Sequence, residues 1–418
     1  MGWLHRSILG STLVFAVYLT PAWAGEPSLS LSKVQWTTFL ERLEKQNPHI
    51  QALKSKVEAE KSQLSLELPA PTLGISSMGV QSPFSGLMER TIEFNQKVPF
   101  PSKFFKASSV KDAKISTAES ETMLSIQKLK TEAADLFISL AQSLQEQELL
   151  LEKKQIYEAH LKRLKSLSLS DQIQRIHILE INAEIKTTDM ELEESKQREQ
   201  EARVKIASLL NEQEPFSENP SPDSIQAPES LASRTKNSSI TTLVENRERL
   251  LDTEKSMTTQ EWMPDLILTY RRRERLDNLM PSSHEVMVGL ELPFLWGWQP
   301  SQKNKVATFT RDESHFENVD AELNSRGEIQ TFKDQLKTLW ERIALLSNDI
   351  LPIDNERVHL LHSVTPSDME SLDLHKSVLE KWLTDRMKLL DLQSNYQRSY
   401  LKLDIMTKSN KDARVGSL

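Results

Sequence analysis

The chain has 418 residues, a formal net charge of -8 and no cysteine. That balance argues against a nucleic-acid partner, whose binding surface would be basic. The absence of thiols excludes disulfides, thiolate metal sites, a cysteine nucleophile and a lipid-modified N-terminal cysteine.

The first residues read as an export signal spanning 1–24. His5 and Arg6 give a positive start, Ile8 to Leu19 a short apolar run, Pro21 a breaker, and Ala22-Trp23-Ala24 the small residues of a cleavage site. Cleavage after Ala24 is expected; an uncleaved anchor is the alternative, with an apolar run short for a span. No later stretch approaches the length of an apolar transmembrane helix, so any membrane insertion must use strands.

A helix opened by Asn47-Pro48-His49-Ile50 leads to a β-like segment over 71–99. There Ile92, Phe94 and Val98 alternate with Glu93, Asn95 and Lys97, and a loop is expected from Gln81 to Leu87. On alternation alone, a half-buried soluble sheet and a barrel wall both fit. Glycine is then absent from Leu87 through Val288, and proline from Ser102 through Glu214. Such a stretch, rich in Glu, Lys, Gln, Leu and Ala, predicts a long helical hairpin over 102–211. Ser168, Ser170 and Asp171 supply cap residues at its reversal.

The Pro-, Ser- and acid-rich stretch 215–236 reads as a linker or surface excursion. The same order then returns at an offset of about 190 residues. Asn237-Ser238-Ser239-Ile240 opens a helix, and a second β-like segment covers 264–293. In it Leu266, Leu268 and Tyr270 alternate with Ile267, Thr269 and Arg271, and Arg271, Arg272, Arg273 and Arg275 cluster at the strand end. A second helical hairpin follows over 301–407. Phe332, Leu336, Leu339, Ile343, Leu346 and Ile350 form its heptad seam, and Thr365, Pro366, Ser367 and Asp368 its reversal. A tail occupies 409–418. The fold class is mainly α with a small β part, in two repeats of helix, two strands and two long coiled-coil helices. Arms of roughly 45–60 residues would reach about 70–90 Å.

Four motifs carry a resemblance to the TolC-like outer membrane efflux proteins. Lys97-Val98-Pro99-Phe100-Pro101-Ser102-Lys103 is similar to the family's P-[FW]-P-G-K segment, in the form typical of its heavy-metal-efflux branch. Pro293-Phe294-Leu295-Trp296 resembles the second-half counterpart. The run Leu372 to Glu380 resembles L-D-A-Q-x-T-L-L-E, and Tyr400 to Thr407 resembles the end of the last helix. The likeness spans about residues 30–408. The chain departs from the pattern at Ser102, at Lys408, and at the first tip, where Asp171 and His177 stand at the expected Gly and Asp.

The resemblance implies a homotrimer with a shared 12-stranded outer-membrane barrel and a periplasmic α-barrel. It implies contact with outer-membrane lipid, a periplasmic adaptor docking at the two tips, and an inner-membrane pump that supplies metal cations or small toxic compounds. It places Glu370 and Asp373 at the periplasmic gate, a solvated helix face being the alternative. At a barrel rim Arg271 and Arg273 would meet lipopolysaccharide phosphates or line the pore, and a solvated loop is the alternative. The competing reading is a soluble periplasmic coiled-coil adaptor or scaffold. Strand pairs before both helical hairpins argue against it, since an adaptor carries one hairpin within β-domains. His359, His362 and His375 are placed to build a metal site or to be plain polar surface, and surface is the expectation. No phosphate loop, G-x-S-x-G or H-E-x-x-H occurs, so no enzyme and no cofactor are expected.

Overall fold

The computed structural model describes residues 33–66, 68–82, 85–166, 172–221, 228, 237–275, 281–292, 298–363 and 369–408. The export signal, the Pro293–Trp296 motif and the C-terminal tail lie outside the described residues. So do the tip residues Ser168, Ser170, Asp171, Thr365, Pro366, Ser367 and Asp368. The described chain is mostly helical with a small sheet part.

The first half runs β1 (Lys33–Gln35), α1 (Trp36–Gln46), α2 (Pro48–Ser62), β2 (Thr72–Ser82), β3 (Ser85–Val98), α3 (Pro101–Ser166) and α4 (Gln172–Leu209). The second runs β4 (Asn219–Ser221), α5 (Ser238–Thr258), β5 (Asp265–Arg275), β6 (Ser283–Glu291), α6 (Trp298–Leu345), α7 (Leu351–Ser363) and α8 (Met369–Thr407). At ~1.5 Å per residue, α3 alone reaches about 100 Å. The expected loop at Gln81–Leu87 is shorter than the sequence suggests, because β2 and β3 keep pairing out to Ser82 and Ser85.

Sheet order is β2-β3-β5-β6, antiparallel throughout, with β2 and β6 as open edges. The long helices form a layer in which α4 packs along α3, α3 along α8, and α8 along α6. The main core sits where α1 and α2 cross α3 and α4. Phe137 meets Trp36 at 5.4 Å and Phe39 at 5.3 Å between ring centroids. Phe216, within the stretch that reads as a linker, is buried against Phe39. The Arg203 guanidinium donates to the carbonyls of Phe216 and Glu218 and to Asn219 Oδ1, pinning the strand that lets β4 pair with β1. This stretch is therefore partly core. Phe216, its one large apolar side chain among the described residues, is too sparse a signal for sequence patterning to register.

Helix ends follow local chemistry. Asn211, at φ 57, ends α4: Asn211 N–H donates to Ser208 O and Glu212 N–H to Ala207 O, closing the last turn around a left-handed residue. Between α6 and α7 one turn, Leu346–Ile350, widens to π geometry, and Leu351 N–H reaches Leu346 O. Pro352 is the cause. It lacks an N–H and its ring crowds the carbonyl one turn back, so the helix widens there instead of breaking.

Candidate functional site

The sheet has two unlike faces, set by strand register. On one, Leu73, Phe94, Tyr270 and Val286 stand side by side across all four strands, followed by Leu268 with Val288 and Leu266 with Leu290. Leu73, Phe94, Leu268, Tyr270, Val286, Val288 and Leu290 are exposed. On the opposite face the matching rows are Thr72, Asn95 and Thr269, then Gly74, Glu93, Arg271 and Glu285. The apolar rows from Leu266 to Tyr270 cover about 13 Å at ~3.3 Å per residue. Exposed Leu64, Phe105, Trp262 and Trp298 border the sheet where it meets the helices. A chain that leaves one sheet face apolar and exposed, and flanks it with aromatics, has the surface pattern of a lipid-facing barrel wall.

Arg271 and Arg273 both lie on the polar face. Arg271 donates to Glu93 Oε2 at 3.0 Å and lies 3.8 Å from Glu285 Oε2. Arg273 donates to the same Glu285 oxygen at 3.3 Å. Sequence reasoning missed the carboxylate partners, because cross-strand register is invisible without the pairing. Arg272 falls on the other face, beside His284 and paired with Glu274.

The Pro-Phe-Pro-Ser-Lys segment joins the two halves. Lys103 Nζ donates to Asp265 Oδ1 at 2.6 Å, and the Phe100 N–H donates to the same oxygen at 3.2 Å. Ser102 Oγ donates to Gln260 Oε1 at 2.7 Å. The motif thus anchors the start of α3 to the start of β5. A hydroxyl at residue 102, where the family pattern has Gly, makes one of these bonds.

Glu370 and Asp373 open α8 and are both exposed. Asp373 lies 3.7 Å from His177 Nδ1 of α4. One turn on, Lys376 bridges Glu180 of α4 at 2.8 Å and Glu380 at 3.7 Å, and Tyr157 of α3 donates to Glu380 at 2.9 Å. Burial opposes the Lys376 charge, but Glu180 and Glu380 more than offset it, and its pKa lies above the usual lysine value. Burial, then Glu380, pushes the Tyr157 phenol well up. His160 of α3 is buried with its ring 5.3 Å from that of His375, and its Nε2 has no hydrogen-bond partner. Burial, then His375 and Lys376, hold its pKa down to about 4. The histidine reading of the sequence had singled out His375 but neither His160 nor His177. His359 is described on α7, while the His362 side chain lies outside the described residues. Among the described residues no group of three or more His, Cys, Asp or Glu is arranged to hold a metal ion, and no helix is long and apolar enough to cross a membrane.

An open-edged, two-faced sheet standing on a layer of very long helices is the fold of the TolC-like outer-membrane efflux channels. Solved structures similar to this chain include a membrane protein from Pseudomonas aeruginosa, at 14% identity and TM-score 0.72 over 94% of this chain and 97% of that one. CusC, whose structures describe transmembrane channel formation, matches at 14% identity and TM-score 0.71 over 94% and 96%. The Campylobacter jejuni CmeC outer membrane channel matches at 12% identity and TM-score 0.68 over 91% and 88%. No family model and no curated protein matches the sequence.

Proposed function

We propose that this chain is one subunit of a passive outer-membrane exit channel in a Gram-negative cell. Three copies close a shared 12-stranded barrel and extend it through the periplasm as a helical tunnel. The observation that carries this reading is the two-faced sheet with both edges open. Lipid solvates the apolar face, but unpaired edges are not viable there, so β6 of one copy must pair with β2 of the next. The helix layer supports the same closure. Its outer helices each carry exposed apolar residues at multiples of seven: Ile176, Met190 and Val204 on α4, and Phe309, Phe316 and Leu323 on α6. Contact between unlike edges builds a closed ring.

In this reading a periplasmic adaptor docks at the hairpin tips, and an inner-membrane pump supplies the energy and chooses the cargo. Metal cations or small toxic compounds fit the motif resemblance. Glu370 and Asp373 form the gate, where a threefold axis gathers six carboxylates that attract cations. Membrane fractionation with mass measurement of the detergent-extracted protein tests the assembly: an outer-membrane trimer supports it, and a soluble monomer sinks it. Glu370→Ala combined with Asp373→Ala is expected to weaken block by divalent cations in planar bilayers. Unaltered block and conductance would remove the gate assignment.

A further inference from the structure

We propose that the barrel wall is built charge-neutral toward its lumen, with Arg271 and Arg273 matched one for one by Glu93 and Glu285, so that the wall itself favours neither cations nor anions. This rests on the channel reading above and concerns the polar face of the same sheet. Register places Glu93, Arg271 and Glu285 abreast on β3, β5 and β6. The central Arg271 bonds to Glu93 and faces Glu285, and Arg273, two residues along, returns to Glu285. The neighbouring polar positions are neutral: Thr269 donates to Asn95 at 2.6 Å, and Asn95 donates to Glu93 at 2.9 Å.

The end nearer the helices repeats the balance. Lys97 pairs with Asp265 and Glu291, and Lys103 with Asp265. Among the charged residues on this face whose side chains are described, which leaves out Arg275 and Glu89, and together with Lys103, each cation therefore has a carboxylate within ion-pair distance. The physical consequence is specific. A bare fixed charge projects its field about 10 Å into 0.1 M salt and about 30 Å into 0.01 M, and ring closure would repeat it once per copy. A charge paired at contact distance cancels over those lengths. Pairing also offsets the cost of holding charges on a thin wall backed by lipid.

The test is the reversal potential of the purified channel in planar bilayers under a KCl gradient at low ionic strength. Glu285→Gln leaves two arginines against Glu93 and is expected to shift the potential toward the chloride equilibrium value. Arg271→Gln leaves two glutamates against Arg273 and is expected to shift it toward the potassium value. The double variant Arg271→Gln with Glu285→Gln restores neutrality and the wild-type potential. Unitary conductance close to wild type shows that each variant has assembled. Channels whose reversal potential does not move, or moves the same way in both single variants, overturn the proposal and leave the channel reading standing. A protein that forms no channel at all overturns both.

Discussion

His160 shows how one buried residue ties stability at the helical tip to pH. Its ring is enclosed between α3 and α8 with His375, Lys376, Arg163 and Asp373 around it, and its pKa is held to about 4 against an ordinary 6.5. The unfolded chain takes up a proton near pH 6.5, but the folded chain does not until about pH 4. Stability from this residue is thus complete above pH 6.5 and is lost as pH falls toward 4. The loss is on the order of 3 kcal/mol. Thermal melting of wild type and His160→Leu from pH 7.5 to 4.5 checks this. The wild type should lose more stability on acidification than the variant, and parallel curves would refute the assignment. The sequence held the histidines but not their meeting: His160 and His375 are far apart in the chain, and only packing of α3 on α8 joins them.

At the scale of elements, local chemistry made much of the fold legible. Asn47 and Asn237 occupy equivalent places in the two halves and cap α2 and α5. Asn47 accepts from Ile50 N–H, and Asn237 accepts from Ser239 and Ile240 N–H. Asn47 also donates to Leu209 O, so it holds α2 to the end of α4. Asn237→Ala is expected to cost about 1 kcal/mol, as a lost cap does. Asn47→Ala should cost about 2 kcal/mol, because the partly buried Leu209 carbonyl loses its donor as well. Chemical denaturation of the two variants measures the difference. The strands were readable because one face is apolar and the other polar, which imposes period two on the sequence. Two features were not readable. Phe216 is an isolated core residue in a polar stretch, and the π turn before Pro352 interrupts a heptad seam whose spacing hides it.

For the whole molecule, the decisive facts are edges. The sheet ends at β2 and β6, the helix layer ends at α4 and α6, and apolar side chains stand exposed on both outer helices. Replacing Phe309 and Phe316 by Asp puts two charges into the contact expected between α6 and the next copy's α4. The expected outcome is a detergent-extracted monomer with helical content unchanged by circular dichroism, because neither residue supports the subunit's own core. A variant that stays trimeric would move the subunit contact elsewhere.

The sequence by itself determined the kind of elements and their order, since helix and strand formation depend on breakers, caps and periodicity within a few residues. It also carried the motif order that resembles the outer-membrane efflux proteins. Only the tertiary structure decided which strands neighbour one another, which carboxylate answers each arginine, and that both layers end in unsatisfied edges. The relations that join the two halves, such as that between Glu93 and Arg271, link residues more than a hundred positions apart, and no local pattern encodes them. Strand register decides the wall, because a one-residue slip would move every side chain of the slipped strand to the opposite face.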